Sequence, residues 1–419
     1  MLKRSIQSLA LCGALALGST TVAVAQDSGA LLEVLVRKGI LTDQEAEDVR
    51  ADLARDAAQP PAVATGGSNY TTRLRISGRL QAQYAGLDTS IENAADPAST
   101  NHFFLRRVYL TARADLGPDW NANITYDFAG SLFDAAFVQW RQSDKLTFDF
   151  GLRKVNVGYE ERTSSGSLKA IERSGVTRYF VEENNGRRLG AGSYRVGVFM
   201  DGKAGNFFYG AAVTNPERAV NFTNAAGTGN AGNNGVALWA NGGFEKIYEG
   251  GSFLIGAGAG LLPDQGGKSG TAPFGVGTGN DLQTYSIYTD MTSGRFGLSA
   301  EYLRADVEQG ASATQDAQPS GFWIQPTFKF TEQLEAVFRY SYLDSDGRGV
   351  NISDGVRSAP SGGTHDKLTE MFFGGNWYVK GNDLKLQAGY VYGKTEDTLS
   401  GGPAEAEAHG VRSQVQLNF

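Results

Sequence analysis

The strongest constraint on this chain is a two-residue hydrophobic period that begins at Thr71 and returns, run after run, to the last residue. In the first run Leu74, Ile76, Gly78, Leu80, Ala82 and Tyr84 alternate with Arg73, Arg75, Ser77, Arg79, Gln81 and Gln83. Successive side chains of a strand point to opposite faces, so this pattern predicts a strand with one apolar and one polar face. Val108, Leu110, Ala112, Ala114 and Leu116 repeat it against Arg107, Tyr109, Thr111, Arg113 and Asp115. Trp120 to Phe128 and Leu146 to Leu152 follow suit, with Asp127 and Asp149 on the polar face. To the end of the chain there are sixteen such runs, each near ten residues. No stretch gives eighteen consecutive apolar residues, so a spanning helix is not expected.

The links between the runs alternate in length. Short ones fall at Gly117-Pro118-Asp119, Ser143-Asp144-Lys145, 201–205, 246–251, Ser293-Gly294, Glu332-Gln333 and Gly381-Asn382-Asp383. The intervening ones are long, at 87–101, 155–190, 215–235, 263–281, 307–319, 345–367 and 397–408, except for a short one from Gly130 to Phe133. Short turns on one side and long loops on the other are the arrangement of a transmembrane, up-and-down antiparallel β-barrel. Ten residues at about 3.3 Å each and about 45° of tilt cover the roughly 25 Å apolar band of an outer membrane. A soluble sandwich would need a second sheet over the apolar face and gives no reason for the asymmetry. Tyr84, Trp120, Trp140, Tyr302 and Tyr378 near run ends suit an interfacial girdle facing lipid and lipopolysaccharide. The last run, Val411 to Phe419, ends on an aromatic, the feature by which a barrel assembly machinery recognises such a strand.

One link stands apart. Residues 151–190 carry Arg153, Lys154, Arg162, Lys169, Arg173, Arg178, Arg187 and Arg188 against Glu160, Glu161, Glu172, Glu182 and Glu183. This is a local excess of cations in a chain whose net charge is −7. It shows no strand alternation, and a link this long without secondary structure is usually functional when ordered. It follows the fifth run, which makes it the third outer loop, and it reads as a constriction loop (155–190) folded into an anion-passing barrel. Fixed cations pass anions when they replace part of the hydration shell yet release the ion again. Arginine suits oxyanions through its planar fork. Arg73, Arg75, Arg79, Arg107 and Arg113 share the predicted inner face and add to the candidate pathway. Each of these arginines has a second reading, as a brace for the loop glutamates.

The N-terminal residues read differently. Residues 1–25 have Lys3 and Arg4, an apolar stretch from Leu9 to Leu17 and a small-x-small site at Ala23-Val24-Ala25, as in a secretory signal peptide. Residues 26–56 hold two helical stripes, with Gly39 placed to stop the first and Thr42–Glu45 forming a capping box for the second. This predicts a periplasmic helical hairpin, either packed on its neighbour or self-associating into a stalk. Residues 57–70, with Pro60-Pro61 and Gly66-Gly67, read as a linker to a barrel over 71–419. Loss of Lys3 and Arg4 takes the balance from −7 to −9, which argues against nucleic acid as a partner. Cys12 is the only cysteine and there are three histidines, so no metal site or other cofactor is expected. The Gly227-x-Gly229-x-x-Gly232 pattern lies in a Gly/Asn-rich loop without a βαβ context. His102, His365 and His409 have no nucleophile spacing around them, so an enzyme is not expected.

The segment Phe104–Asn215 resembles the phosphate-selective porin O/P family. The resemblance is carried by Leu105-Arg106-Arg107, Trp120 to Asp127-Phe128, Phe137-Val138, Gly151-Leu152-Arg153-Lys154 and Glu160-Glu161-Arg162-Thr163-Ser164-Ser165. It continues at Ile171-Glu172-Arg173 and Gly186-Arg187-Arg188-Leu189-Gly190. It implies a sixteen-stranded barrel, commonly a homotrimer, whose third outer loop lies in the lumen and which passes small anions, phosphate among them. Loops 215–235 and 263–281 offer only Arg218 and Lys268 as basic groups. A general diffusion porin with internally paired arginines, or a chiefly structural barrel tethered through the hairpin, therefore stay open as alternatives.

Overall fold

The computed structural model describes residues 71–182, 187–216, 236–263, 281–312, 314–398 and 404–419. The expected signal peptide, hairpin and linker lie outside these residues. The chain forms β1 (Thr71–Ile91), β2 (Thr100–Leu116), β3 (Trp120–Asp127), β4 (Leu132–Ser143) and β5 (Leu146–Lys154). Two short helices follow, α1 (Tyr159–Arg162) and α2 (Gly175–Val181). Then come β6 (Tyr194–Ala204), β7 (Phe207–Thr214), β8 (Ala237–Tyr248), β9 (Gly251–Leu262), β10 (Leu282–Ser293) and β11 (Phe296–Ser312). The series ends with β12 (Gln315–Ala317), β13 (Ser320–Lys329), β14 (Leu334–Asp344), α3 (Ile352–Gly355), β15 (His365–Asn382), β16 (Leu384–Thr398) and β17 (Glu405–Asn418).

Each strand pairs antiparallel with its neighbour, and β17 returns to β1 from Arg79↔Asn418 to Ile91↔Ala406. The sheet is therefore closed and has no free edge, which lets every ladder amide and carbonyl be satisfied in lipid. Sixteen strands make the wall. The seventeenth, β12, is a three-residue addition beside β11 within an outer link. Short turns gather at one end, where Gly205 and Gly294 take φ of 61° and 57°, a region that glycine enters without penalty. The other end carries the long connections, together with the four-residue turn Phe128–Ser131 between β3 and β4.

Strand lengths depart from the expected ten residues. β1 has 21 residues, β15 has 18 and β2 and β11 have 17, while β3 and β7 have 8. The long strands continue to pair beyond an apolar band of about 25 Å, because their outer halves gain cover from loops inside the barrel. The two faces are inverted relative to a water-soluble protein. Ile76 is 57% exposed and Phe373 66%, whereas Gln81 and Gln416 are fully buried. Apolar side chains outside and polar ones inside fit a lipid exterior. Among the described residues no helix is long and apolar enough to cross a membrane, so the strands do the spanning.

Stacked Trp120, Trp140 and Phe148 form an outward row near the short-turn end, with centroids 5.8 and 5.5 Å apart. Tyr378 is a correction to the expected girdle. Its hydroxyl donates inward to Glu335 at 2.5 Å, and the exposed indole of Trp377 takes the lipid-facing place. This follows the period set by the outward Phe373 and Trp377; the register shift of β15 comes only after Tyr378, before Lys380. The Phe419 backbone exchanges two hydrogen bonds with Gly78, at 2.7 and 3.1 Å, and its ring covers that glycine, where a Cβ would meet it at 2.4 Å.

Candidate functional site

The barrel's interior is shaped by the link between β5 and β6, residues 155–193. Where the sequence suggested no secondary structure, it forms α1 and α2. Ser174 caps α2 by accepting from Thr177 N at 3.1 Å. The first turn of α1 is fixed from the opposite wall: the amides of Tyr159 and Glu160 donate to the Glu301 carboxylate of β11 at 2.6 and 3.2 Å. Free amides at a helix start suit a carboxylate. Ser286 Oγ and Trp323 Nε1 complete the shell of Glu301 at 2.7 and 3.2 Å.

Beyond α1 the link runs across to β14–β17 and β1. Gln81 Nε2 and Gln416 Nε2 donate to the carbonyls of Ser165 and Gly166, each at 3.0 Å. Lys385 Nζ donates to the carbonyls of Gly166 and Leu168, each at 2.9 Å. The fully buried Arg339 reaches Glu160 Oε1 at 3.0 Å, Glu172 O at 2.8 Å and Glu370 Oε1 at 2.8 Å. An apolar cluster of Val176, Phe180 and Val181 with Leu303, Trp323, Leu343 and Ile352 sits inside the barrel, toward the end that carries the long links. A second outer link, residues 345–364 with α3, closes over α2. Arg187 pairs with Asp354 at 2.7 Å, Arg357 pairs with Glu172 at 2.9 Å and with Glu182, and Arg178 Nη1 donates to Gly355 O at 2.8 Å.

The sequence-derived arginines separate into two groups. Arg75 and Arg113 lie 2.9 and 3.5 Å from Asp115, and Arg73 stands opposite Asp115 in register. Arg153 bonds Asp201 at 2.6 Å and also Asp149. Lys169 lies 3.2 Å from Glu335. Arg173 binds Glu161 at 2.9 Å and three loop carbonyls. Arg178 and Arg188 share Glu182 at 3.3 and 3.0 Å. Arg75, Arg113, Arg153, Lys169, Arg173, Arg178 and Arg188, with Arg187, each meet a carboxylate. Arg79, Arg107 and Arg162 are held instead by neutral groups. Arg79 donates to Asn418 Oδ1 and Ser165 Oγ, both at 2.8 Å; Arg107 to Gln81 Oε1 at 2.7 Å; and Arg162 to the Tyr288 hydroxyl at 3.1 Å.

Burial raises the Glu172 carboxyl, but Arg106 and Arg357 outweigh it and hold the group well below the ordinary glutamate range. Glu182, also raised by burial, is brought down to about 2 by Arg178, Arg357 and Arg188. These loop carboxylates are ionised at neutral pH and serve as anchors for the surrounding cations.

Several contributors were not singled out from the sequence. Arg339, Glu301, Glu335 and Lys385 lie on the polar face of their runs, so the two-residue period held a signal for them. Arg106 had none. A β-bulge between Gln81 and Ala82 inserts it as an extra residue, and it bonds Glu172 at 2.6 Å while its neighbour Arg107 also points inward. Tyr194, placed on the apolar face by period, turns in to bond Asp134.

Between the link and the wall of β5–β10 lies a cavity of about 610 Å³ that reaches the short-turn end. Lys145, Arg153, Lys154, Arg162 and Lys203 line it against Asp144, Asp201 and Glu245, with Asn156, Asn241 and Tyr288 among the neutral groups.

A closed sixteen-stranded barrel, apolar outside and polar inside, with an outer link bonded across its lumen, defines an outer-membrane porin. The chain belongs to the family of phosphate-selective porins O and P, whose profile matches residues 74–419. A search of curated proteins by sequence finds no match. Among solved structures it is similar to an anion-selective porin from Comamonas acidovorans, at 12% identity and a TM-score of 0.57 over 83% of this chain and 99% of that one. It is similar also to the outer membrane channel DcaP of Acinetobacter baumannii, at 15% identity and a TM-score of 0.50 over 83% and 97%. OmpT of Vibrio cholerae in its trimer form gives 13% identity and 0.50 over 82% and 99%.

Proposed function

We propose that this porin passes small anions, phosphate among them, down their concentration gradients across the outer membrane. The observation that carries this reading is the set Arg79, Arg107 and Arg162, held by two amides, a hydroxyl and a phenol. Their charge is not cancelled by a bonded carboxylate, so the constriction keeps a positive field. Such a field raises the local concentration of anions and lowers that of cations. The paired arginines hold the loop; they position the constriction rather than filter.

The same reading assigns 155–190 as the constriction, with Arg73, Arg75, Arg113, Arg153, Lys169, Arg173, Arg178, Arg187 and Arg188 supporting the pathway. It takes the protein to be a channel rather than an enzyme, and a homotrimer, with contact through the low wall at the four-residue β3–β4 turn. Phe419, exposed at the strand end, is the feature the assembly machinery would take, and lipopolysaccharide would surround the outer rim. The hairpin at 26–56 would lie in the periplasm. The test is the reversal potential of the purified porin in planar bilayers under a potassium chloride gradient, repeated with potassium phosphate. An anion-side potential in both salts is expected; an unselective or cation-preferring channel overturns the reading.

A further inference from the structure

The cavity beside the constriction is chemically two-sided, and this bears on which anions it holds. Arg162 reaches it from the link and Lys145 from the β4–β5 turn, with Asp144, Asp201 and Glu245 also in the lining. Phe208 and Leu254 project from β7 and β9 toward the interior, half-buried, and line the same space. There Tyr159 of the link stacks on Tyr288 of β10, with centroids 5.1 Å apart and planes 17° from parallel. Glycine on the wall makes this possible: Tyr288 lies flat against Gly256, where a Cβ would meet the ring at 2.5 Å, and Phe208 covers Gly243 in the same way at 2.4 Å. The Tyr288 hydroxyl accepts from Arg162, so the cation is held at the edge of the aromatic surface.

An inorganic oxyanion gains little here, because an aromatic and aliphatic wall cannot replace its hydration. A carboxylate carried on an aromatic body can use both sides. Its charge meets the arginine fork and its ring covers Phe208, Leu254 and the tyrosine pair. Resting on the anion-channel reading above, we propose that this cavity is a binding site for aromatic carboxylates, and that Phe208 and Leu254 set its preference for them over inorganic anions.

The test uses the full chain in planar bilayers, with chloride current blocked by benzoate, acetate or inorganic phosphate. Acetate carries the same charged group without the ring. Benzoate is expected to half-block at about a tenfold lower concentration than acetate or phosphate, the gain from burying a ring of that size. Phe208→Asn and Leu254→Asn, made separately, are each expected to bring the acetate-to-benzoate ratio of half-blocking concentrations toward one. Arg162→Gln is expected to weaken both carboxylates while leaving benzoate ahead. Equal block by benzoate and acetate in the native channel overturns the proposal and leaves the anion channel standing, as does an unaltered ratio in both wall variants. A native channel that prefers potassium to chloride overturns both.

Discussion

Arg339 and Glu160 meet at 3.0 Å inside the barrel, both almost wholly buried and 179 residues apart in the chain. One stands on a wall strand and the other on the link that crosses the lumen, so this pair joins the loop to the barrel. Glu370 takes the second guanidinium nitrogen at 2.8 Å. Removing one partner of a buried ion pair typically costs about 3–5 kcal/mol, because the other charge stays buried. Arg339→Met would leave Glu160 and Glu370 both without this cation. We expect folded barrels that melt at lower temperature, with larger and noisier single-channel conductance as the loop leaves its seat. Unchanged conductance and melting would show that the loop is held elsewhere.

Arg162 and Arg178 belong to the same link but predict different outcomes. Arg162 lines the cavity and bonds a phenol, while Arg178 is buried against Glu182 and two carbonyls of the 345–364 link. A unit charge about 7 Å from a passing ion in water favours an anion by about 0.6 kcal/mol and disfavours a cation by as much, so the preference between them changes by about 1.2 kcal/mol, or roughly sevenfold. Arg162→Gln is therefore expected to lower the chloride-to-potassium permeability ratio by about that factor. Arg178→Gln is expected to reduce thermal stability and to shift the ratio less. Reversal potentials of the two variants, measured side by side, check the ordering.

The clasp between the two inner links should resist acid. A carboxyl held below its ordinary value contributes stability that is present above that ordinary value, near 4.3 for glutamate, and is lost as pH falls through the folded one. For Glu182 the folded value is about 2, and Glu172 lies well below the ordinary range as well. Conductance is expected to stay level from pH 7 to about 4.5 and to change only as pH approaches about 2, when Glu182 loses its charge and its hold on Arg357. A step near pH 5 to 6 would mean that these glutamates do not hold the loop.

The wall of this protein was legible in the sequence because a strand's period is local: each residue's face follows from its neighbours alone. That reading placed Arg75, Arg79 and Arg113 inside and Ile76 and Leu110 outside, as the structure has them. It also put the longest basic link third among the outer loops. What it could not supply was pairing across the lumen. Nothing local to Glu160 points to Arg339, and nothing local to Tyr159 points to Glu301. Three-dimensional closure brings them together, and it also decides which arginines meet carboxylates. Arg106 was missed for a narrower reason. It lies at a register shift, where one extra residue changes which way the next side chain points. Tyr378 keeps the period of Phe373 and Trp377 and so falls on the inner face; its place near a strand end put it in the expected girdle, against its own phase.

Barrel closure itself rests on one glycine. Gly410 on β17 lies beside Leu87 of β1 with φ of 156°, and a Cβ there would come 1.9 Å from the carbonyl oxygen of Gly86. That oxygen is backbone in a paired strand and cannot turn aside. Gly410→Ala must therefore push β17 from β1 at the seam where the last strand meets the first, a joint that no hairpin turn holds and that leaves two open edges if it fails. Open edges in lipid strand unsatisfied amides and carbonyls. We expect a sharp drop in the yield of heat-modifiable, folded barrel on electrophoresis. Gly117→Ala serves as the comparison: it sits in a short turn, where a Cβ meets nothing within 4 Å but φ is 74°. Its cost is confined to backbone strain of about 1 kcal/mol, so it should fold at near-native yield. Equal yields from the two variants would show that the seam tolerates displacement and that closure does not depend on this contact.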